Sequence, residues 1–363
     1  MRRTEKLSAA LIVLLNLISS GLLIDRGVFL DDFAGQWRLC AYTLKGVDPY
    51  QIIGVEPALI DEIGVIPQGW GTSPWGLILG NFFYAGFLPL PTAEIYFVAI
   101  NFILLTITAR AFYLASDKNV WALILFACPA SMIISTVTGN AGGAICCLLL
   151  LCLLTCERRP FLTAVMLSIA MVKPQTALAF CLLFLFQRRW RILLTAAAID
   201  LGAWLISART VGQSPIDLLR EFFGADIGGG SQFSGLFTLL IDVPLQSIAL
   251  SMLVGAAFIF MLRKKIWAPC LASAFWSYTY FNEFYLLALP AFHCVRLKMY
   301  WAAIVLHVGE TFWTSIALWC LTNGLSTTLF SIEAWLYVRT AFCLFIISIG
   351  LFLNQSPPST NAA

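Results

Sequence analysis

Long apolar runs separated by short polar breaks make up most of this chain. Residues 7–24 form the first run, and from residue 93 onward further runs alternate with breaks that carry basic side chains. A helix needs about 20 apolar residues to cross a bilayer. The pattern therefore predicts an all-α polytopic membrane protein of about twelve segments, some of them short broken pairs. One long stretch of mixed polarity, residues 25–92, interrupts it.

Basic residues give the expected orientation of these segments, because they are retained on the cytoplasmic side. The basic start at residues 1–6 places the N-terminus in the cytoplasm and makes residues 25–92 the first extracytoplasmic loop. We interpret residues 7–24 as a retained helix, since the sequence after Ile24 lacks a convincing signal-peptide cleavage site. The later basic breaks are then cytoplasmic, and the polar breaks between them are external.

Two apolar stretches, residues 161–187 and 267–295, are flanked on both sides by cytoplasmic breaks yet are too short to cross the membrane twice. We predict a pair of short helices in each, broken at Lys173-Pro174 in the first and near Asn282-Glu283 in the second. Broken helices are tolerated where the freed backbone is buried in protein or lines a cavity. The two breaks therefore indicate a polar cavity that opens to the outside.

The first extracytoplasmic loop contains a predicted helix and a tight turn. Four residues recur at helical spacing: Phe33, Trp37, Cys40 and Leu44. They predict a short helix that lies in the membrane interface or packs on the membrane domain as a loop helix. Residues 46–50, Gly-Val-Asp-Pro-Tyr, end it. The apolar run from Gly76 is too short to span and is predicted to be a re-entrant or interfacial helix.

Composition agrees with a single integral membrane domain over residues 1–363. Hydrophobic residues make up 60% and charged residues 11% of the chain, against roughly 25% charged residues in soluble domains. The net charge of +3 is carried by the short basic breaks, so it indicates topology and excludes nucleic-acid binding. Most of the eleven cysteines and both histidines lie in apolar runs without metal-ligand spacing, so no metal or cofactor is predicted.

Candidate chemistry begins with the adjacent carboxylates of Asp31 and Asp32. One carboxylate raises the pKa of its neighbour, which favours a general base, but aspartate is also a preferred residue at a helix start. The sequence leaves open which residue has which role. Lys173 lies at a helix break, where an ammonium group faces a cavity and a partner anion or else snorkels to the interface. The partner anion is a phosphate or a carboxylate such as Asp31.

Two further external stretches carry polar candidates. Residues 212–235 contain Arg220, which binds a phosphate or pairs with a carboxylate one turn away. They also contain a run of glycines typical of a lid or a plain connector. Glu283 lies among tyrosines that form a sugar-stacking wall or an ordinary interfacial belt. Asp200 lies about mid-span, where a carboxylate suits transport.

These motifs, in this order, resemble the GT-C superfamily of glycosyltransferases and specifically glycosyltransferase family 87. The similar stretches are Asp32-Phe33 with Gly46 and Pro49-Tyr50, Ser73-Pro74, Gly139-Asn140, Lys173-Pro174, residues 231–235 and residues 281–290. They cover most of the chain and share the predicted external side.

The resemblance implies a GT-C fold and transfer of a monosaccharide, such as mannose, from a polyprenyl-phosphate donor to a glycolipid or glycan acceptor. It implies an inverting reaction on the extracytoplasmic face of the inner (plasma) membrane, with membrane lipids as the surroundings and no cofactor. Asp32 is the implied base, Asp31 its nearest alternative, and Lys173 with Arg220 the implied phosphate ligands. The candidate substrate contacts are Tyr50, Asn140, Gln175, Gln232, Ser234 and Glu283.

A transporter or flippase of a lipid-linked or charged solute is the competing class. Broken helices and Asp200 suit it. The two halves of the sequence show no inverted repeat, however, and a long polar first loop is unusual for a transporter. A third class, an accessory subunit, predicts donor binding without turnover.

Overall fold

The computed structural model describes residues 31–50, 57–65, 73–127, 130–224, 244–273, 285–309 and 344–354. Within these ranges the chain is helical and contains no strand, which confirms the all-α class. A π-helix lies at Val305–Gly309. The α-helices are α1 Asp31–Leu44, α2 Pro57–Ile63, α3 Gly76–Leu79, α4 Asn81–Tyr84, α5 Leu90–Ala115, α6 Val120–Ala127, α7 Ala130–Thr138, α8 Gly142–Thr155, α9 Pro160–Ala170, α10 Pro174–Phe186, α11 Trp190–Thr210, α12 Pro215–Gly224, α13 Pro244–Met261, α14 Ala268–Ala272, α15 Ala288–Arg296, α16 Tyr300–Ile304 and α17 Leu344–Asn354.

Three stretches in the described part of the chain are long and apolar enough to cross a membrane: Leu90–Ala115, Val120–Thr138 and Trp190–Thr210. The first is α5, the second comprises α6 and α7, and the third is α11. Large apolar side chains such as Ile95 and Phe102 are exposed on α5, as expected of a surface that faces lipid. The membrane class predicted from hydropathy is therefore supported, while the total of about twelve segments stays a prediction.

Helix α8 forms the centre of the packing. Its residues are apolar on all sides, and nearly all of them are buried. A helix of that composition is stable only when other helices surround it, and α5, α7 and α9 pack against it. The turn that precedes α8 is therefore fixed inside the protein.

The predicted break at Lys173-Pro174 is confirmed. Helix α9 ends at Ala170 and α10 begins at Pro174, where proline needs no hydrogen bond for its nitrogen. Their 11 and 13 residues rise about 17 and 20 Å, short of the roughly 30 Å hydrocarbon core. The second predicted break, near Asn282-Glu283, lies outside the described residues.

Helix α1 confirms the helix predicted in the first loop. Phe33, Trp37 and Cys40 are buried, and so are Leu39 and Tyr42, because α2, α3, α4, α5, α7 and α11 all contact α1. Leu44, the fourth residue of the predicted face, is 41% exposed at the end of the helix. The protein thus covers this helix on several sides. The observed burial favours the second of the two sequence interpretations, a loop helix packed on the membrane domain.

Helix α1 ends in a left-handed glycine. Gly46 has φ of +78°, and the Val47 N–H donates to the Tyr42 carbonyl at 3.0 Å. This pattern is a Schellman cap, which glycine permits because it has no Cβ. The short apolar run from Gly76, predicted to be one helix, forms two brief helices, α3 and α4. Its re-entrant or interfacial position stays a prediction.

Candidate active site

Three of the predicted residues meet at the N-terminal end of α1. The Asn140 amide Nδ2 donates to Asp32 Oδ2 at 3.2 Å, and Lys173 Nζ donates to Asn140 Oδ1 at 2.5 Å. They come from α1, the α7–α8 turn and the α9–α10 turn. Asp32 and Asn140 are 108 positions apart in the sequence. One amide therefore joins the candidate base to the candidate phosphate ligand.

The Asn140 amide is held in one orientation. Its Oδ1 accepts from the Gly142 N–H at 2.9 Å as well as from Lys173, so its Nδ2 faces the Asp32 carboxylate. The Asn140 backbone is also fixed: its N–H donates to the Ser135 carbonyl at 2.8 Å, and the Ser135 hydroxyl donates to the Asn140 carbonyl at 2.5 Å. The side chain thus has little freedom to turn toward another partner.

Gly139 allows the α7–α8 turn to approach α1. It has φ of +79°, and a Cβ there would lie 2.5 Å from Phe33 Cβ and 2.6 Å from the Phe33 nitrogen. Real Cβ atoms do not come so close to a backbone, so a side chain at this position would push the turn away. Phe33, fully buried against Tyr84 and Phe97, cannot easily yield. Glycine therefore sets the distance between Asn140 and Asp32.

The Ser73-Pro74 segment supports the turn that carries Lys173. Trp75 Nε1 donates to the Met171 carbonyl at 2.8 Å, two residues before Lys173. Ser73 is buried, and its hydroxyl accepts from the Gly76 N–H at 3.2 Å, which starts α3. Two stretches that the sequence linked only by resemblance are thus in direct contact.

Tyr50 lies at a second polar cluster, near the other end of α1. Gln213 Nε2 donates to a carboxylate oxygen of Asp48 and to Glu221 Oε1, the latter at 3.2 Å. The Tyr50 N–H donates to Asp48 Oδ1 at 2.8 Å. Helix α1 rises about 18 Å between Asp32 and its last residue. The two clusters are therefore separated by the length of this helix.

Arg220 pairs with a carboxylate on its own helix. Its Nη1 lies 3.3 Å from Asp217 Oδ1, and 77% of its side chain is exposed. This is the i,i+3 pairing that the sequence left open beside phosphate binding. The structure therefore brings Asp32, Asn140 and Lys173 together and leaves Arg220 on the surface of α12.

Two of the other predicted residues lie in the first turns of α1 and α10. The rest lie outside the residues that the structure describes. Gln175 is half-buried in the first turn of α10, two residues after Lys173. Asp31 begins α1. Gln232, Ser234 and Glu283 lie outside the described residues. Among the side chains that the structure describes, no group of three or more His, Cys, Asp or Glu residues is arranged to hold a metal ion.

The cluster of Asp48, Gln213 and Glu221 was not predicted. Asp48 belongs to the tight turn after α1, and Gln213 follows a glycine, so each has an ordinary local explanation. Asp48 and Gln213 are 165 positions apart, so no pattern among neighbouring residues predicts their contact.

Glu221 gives this cluster a pH dependence. Burial, together with the contact with Asp48, raises the pKa of Glu221 from 4.5 to about 7. The folded protein then binds the proton more tightly than the unfolded chain. The resulting stability is complete below about pH 4.5 and is lost as the pH rises through about 7.

We expect Glu221→Gln to abolish the loss of folding stability at high pH, because the glutamine amide stays neutral at every pH. The variant should unfold at a higher temperature than the original protein near pH 8 and at a similar temperature near pH 5. Thermal unfolding of both proteins in detergent across this range measures the effect. Glu62→Gln is the control, since that glutamate is 61% exposed. An equal difference at both pH values would contradict the assignment.

Comparison with known protein families gives a match over more than half of the chain. The family model described as glycosyltransferase family 87 matches residues 74–290. The matched stretch contains Asn140 and Lys173, whereas Asp32 precedes it. No curated protein and no solved structure matches significantly.

Proposed function

Because the chain belongs to glycosyltransferase family 87, we propose that it transfers a monosaccharide, such as mannose, from a polyprenyl-phosphate donor to a hydroxyl group of a glycolipid or glycan. The reaction inverts the anomeric carbon and takes place on the extracytoplasmic face of the membrane. Family membership favours this transferase over a transporter or flippase. The finer assignments below extend the family assignment to particular residues.

The contact of Asp32, Asn140 and Lys173 is the observation that supports this function best. A carboxylate and an ammonium group are the two groups that the chemistry requires. The acceptor hydroxyl gives its proton to Asp32 as its oxygen forms a bond to the anomeric carbon. The bond from that carbon to the phosphate oxygen breaks, and its electron pair leaves with the phosphate. Lys173 stabilises the charge that develops there.

The position of the site along α5 suits a lipid-linked donor. Phe33, next to Asp32, contacts Phe97, whose ring centroid is 5.1 Å away. Phe97 lies seven residues into α5, about 11 Å from its first residue. The site is therefore near one end of a membrane-spanning helix. A donor with its lipid in the bilayer and its phosphate at the surface reaches such a site by lateral diffusion.

The remaining candidates complete the proposal. Asn140 orients the two reacting groups through its amide. Tyr50 and Gln175 are proposed substrate contacts, as are Gln232, Ser234 and Glu283, and Arg220 stays the second proposed ligand of the donor phosphate. Asp31 stays the alternative base.

We expect Lys173→Gln to lower kcat/KM for the donor by about 10- to 100-fold, because a hydrogen bond to a charged group is worth about 1.5–3 kcal/mol. Transfer of radiolabelled sugar and release of polyprenyl phosphate, measured on purified protein in lipid discs, test this expectation. Lys45→Gln is the matched control, because the Lys45 ammonium pairs with Glu62 at the surface.

The same assay separates the classes of function. Unchanged kinetics for Lys173→Gln would remove this residue from the donor site. Accumulation of intact donor inside vesicles, without bond breakage, would favour a flippase over the transferase.

A further inference from the structure

A groove with a volume of about 340 Å³ lies between α5 and α6. Its walls are apolar, formed mainly by Leu105, Ala109, Leu123 and Ala127, and Arg110 and Tyr113 also line it. The volume is within the range of small-molecule sites. We propose that this groove binds a phospholipid of the surrounding bilayer through an anionic headgroup.

Arg110 is the charged residue in the groove, and it is the proposed ligand of the anionic headgroup. In the described part of the chain it makes no hydrogen bond or ion pair. It is exposed on the same face of α5 as Phe102, Ile107 and Leu114, which are 54%, 48% and 54% exposed. That face is apolar and turned toward lipid. A charged side chain within a membrane span usually has a partner anion or faces a polar cavity.

The order of side chains along the groove matches the order of groups in a phospholipid. Arg110 and Tyr113 lie near the turn that joins α5 to α6, whereas Leu105 and Ala127 lie deeper. From Leu105 to Tyr113 the helix rises about 12 Å. A phosphate on Arg110 would therefore lie toward the membrane surface, with an acyl chain along the apolar walls. The planar guanidinium suits a phosphate because it donates two parallel hydrogen bonds.

The groove is separate from the candidate active site. The active site touches α5 at Phe97, and Arg110 comes thirteen residues later, about 20 Å farther along the helix. The phosphate of a donor bound at Lys173 cannot also reach Arg110 across most of the bilayer. The lipid in this groove is therefore a second lipid, and its binding does not depend on the proposed transferase reaction.

Binding of phosphatidylglycerol to the full-length purified protein tests the proposal. Phosphatidylcholine is the net-neutral comparison, because its choline cation offsets the charge of the same phosphate, and sn-glycerol phosphate is the soluble phosphate. Native mass spectrometry counts bound lipids, and thermal unfolding at increasing lipid concentration gives the affinity. Three variants are compared: Arg110→Gln removes the charge, Ala127→Trp fills the groove, and Arg191→Gln removes an exposed arginine at the start of α11.

We expect Arg110→Gln to weaken phosphatidylglycerol binding by about tenfold or more, as the loss of a charge-assisted hydrogen bond implies. Ala127→Trp should also weaken binding, because the indole occupies the space of the acyl chain. Arg191→Gln should leave it unchanged. If Ala127→Trp does not fold, Arg110→Lys takes its place, and it should bind more weakly than the original protein because the two-pronged contact is lost. Equal binding of both lipids, equal effects of Arg110→Gln and Arg191→Gln, or equally tight binding of sn-glycerol phosphate would overturn the proposal.

Discussion

Asp32→Asn is expected to lower the rate of sugar transfer by about 10²- to 10⁴-fold, the contribution typical of a general base. An amide has nearly the same shape as a carboxylate but cannot take up the acceptor proton. The asparagine oxygen can still accept the hydrogen bond that Asn140 Nδ2 now donates to Asp32. The fold and donor binding should therefore survive, and the defect should appear in kcat.

Transfer from purified donor, measured together with donor binding and thermal unfolding, checks this result. Asp61→Asn is the matched control, because Asp61 is an exposed aspartate in the same loop. Asp31→Asn in the same assay decides between the two adjacent carboxylates. Full activity of Asp32→Asn would show that Asp32 is not the base.

Among the substitutions proposed as tests, Gly139→Ala is expected to lower the free energy of unfolding the most. The left-handed conformation costs a non-glycine residue about 1–2 kcal/mol. The new Cβ would also lie 2.6 Å from the Phe33 nitrogen, and overpacking of this kind costs about 1–3 kcal/mol. The free energy of unfolding should therefore fall by about 2–5 kcal/mol. Activity should fall further, since the α7–α8 turn moves away from Asp32.

Gly212→Ala separates the two contributions. Gly212 has φ of +73°, yet a Cβ added there would have no neighbouring atom within 4 Å. This control should lose only the conformational part, about 1–2 kcal/mol. Denaturant unfolding of both variants gives the difference. Equal losses for Gly139→Ala and Gly212→Ala would mean that the approach to Phe33 does not limit the fold.

Rules that apply to a few neighbouring residues were sufficient to predict the helix and the helix break that form the candidate site. Proline restricts the residue before it and cannot continue a helix, so Lys173-Pro174 could be predicted as a break. The spacing of Phe33, Trp37, Cys40 and Leu44 predicted α1 in the same way. Each of these signals lies within a few neighbouring residues.

The contacts between elements could not be predicted by such rules. Hydropathy indicates which residues lie in the membrane, but not which turn faces which. The meeting of Asp32, Asn140 and Lys173 depends on how α5, α7 and α9 pack around α8. The contact of Gln213 with Asp48 could not be predicted for the same reason, since the two residues are 165 positions apart.

Helix α1 is fixed at both of its ends, and this restricts how the sequence can vary. At one end Gly139 touches Phe33, and at the other a Cβ on Gly46 would lie 3.3 Å from the Thr210 carbonyl. Substitutions along α1 leave its length unchanged. Inserting or deleting one residue would turn Asp32 by about 100° and shift it by about 1.5 Å along the axis, away from Asn140. The number of residues from Asp32 to Gly46 is thus constrained in addition to the identity of the buried ones.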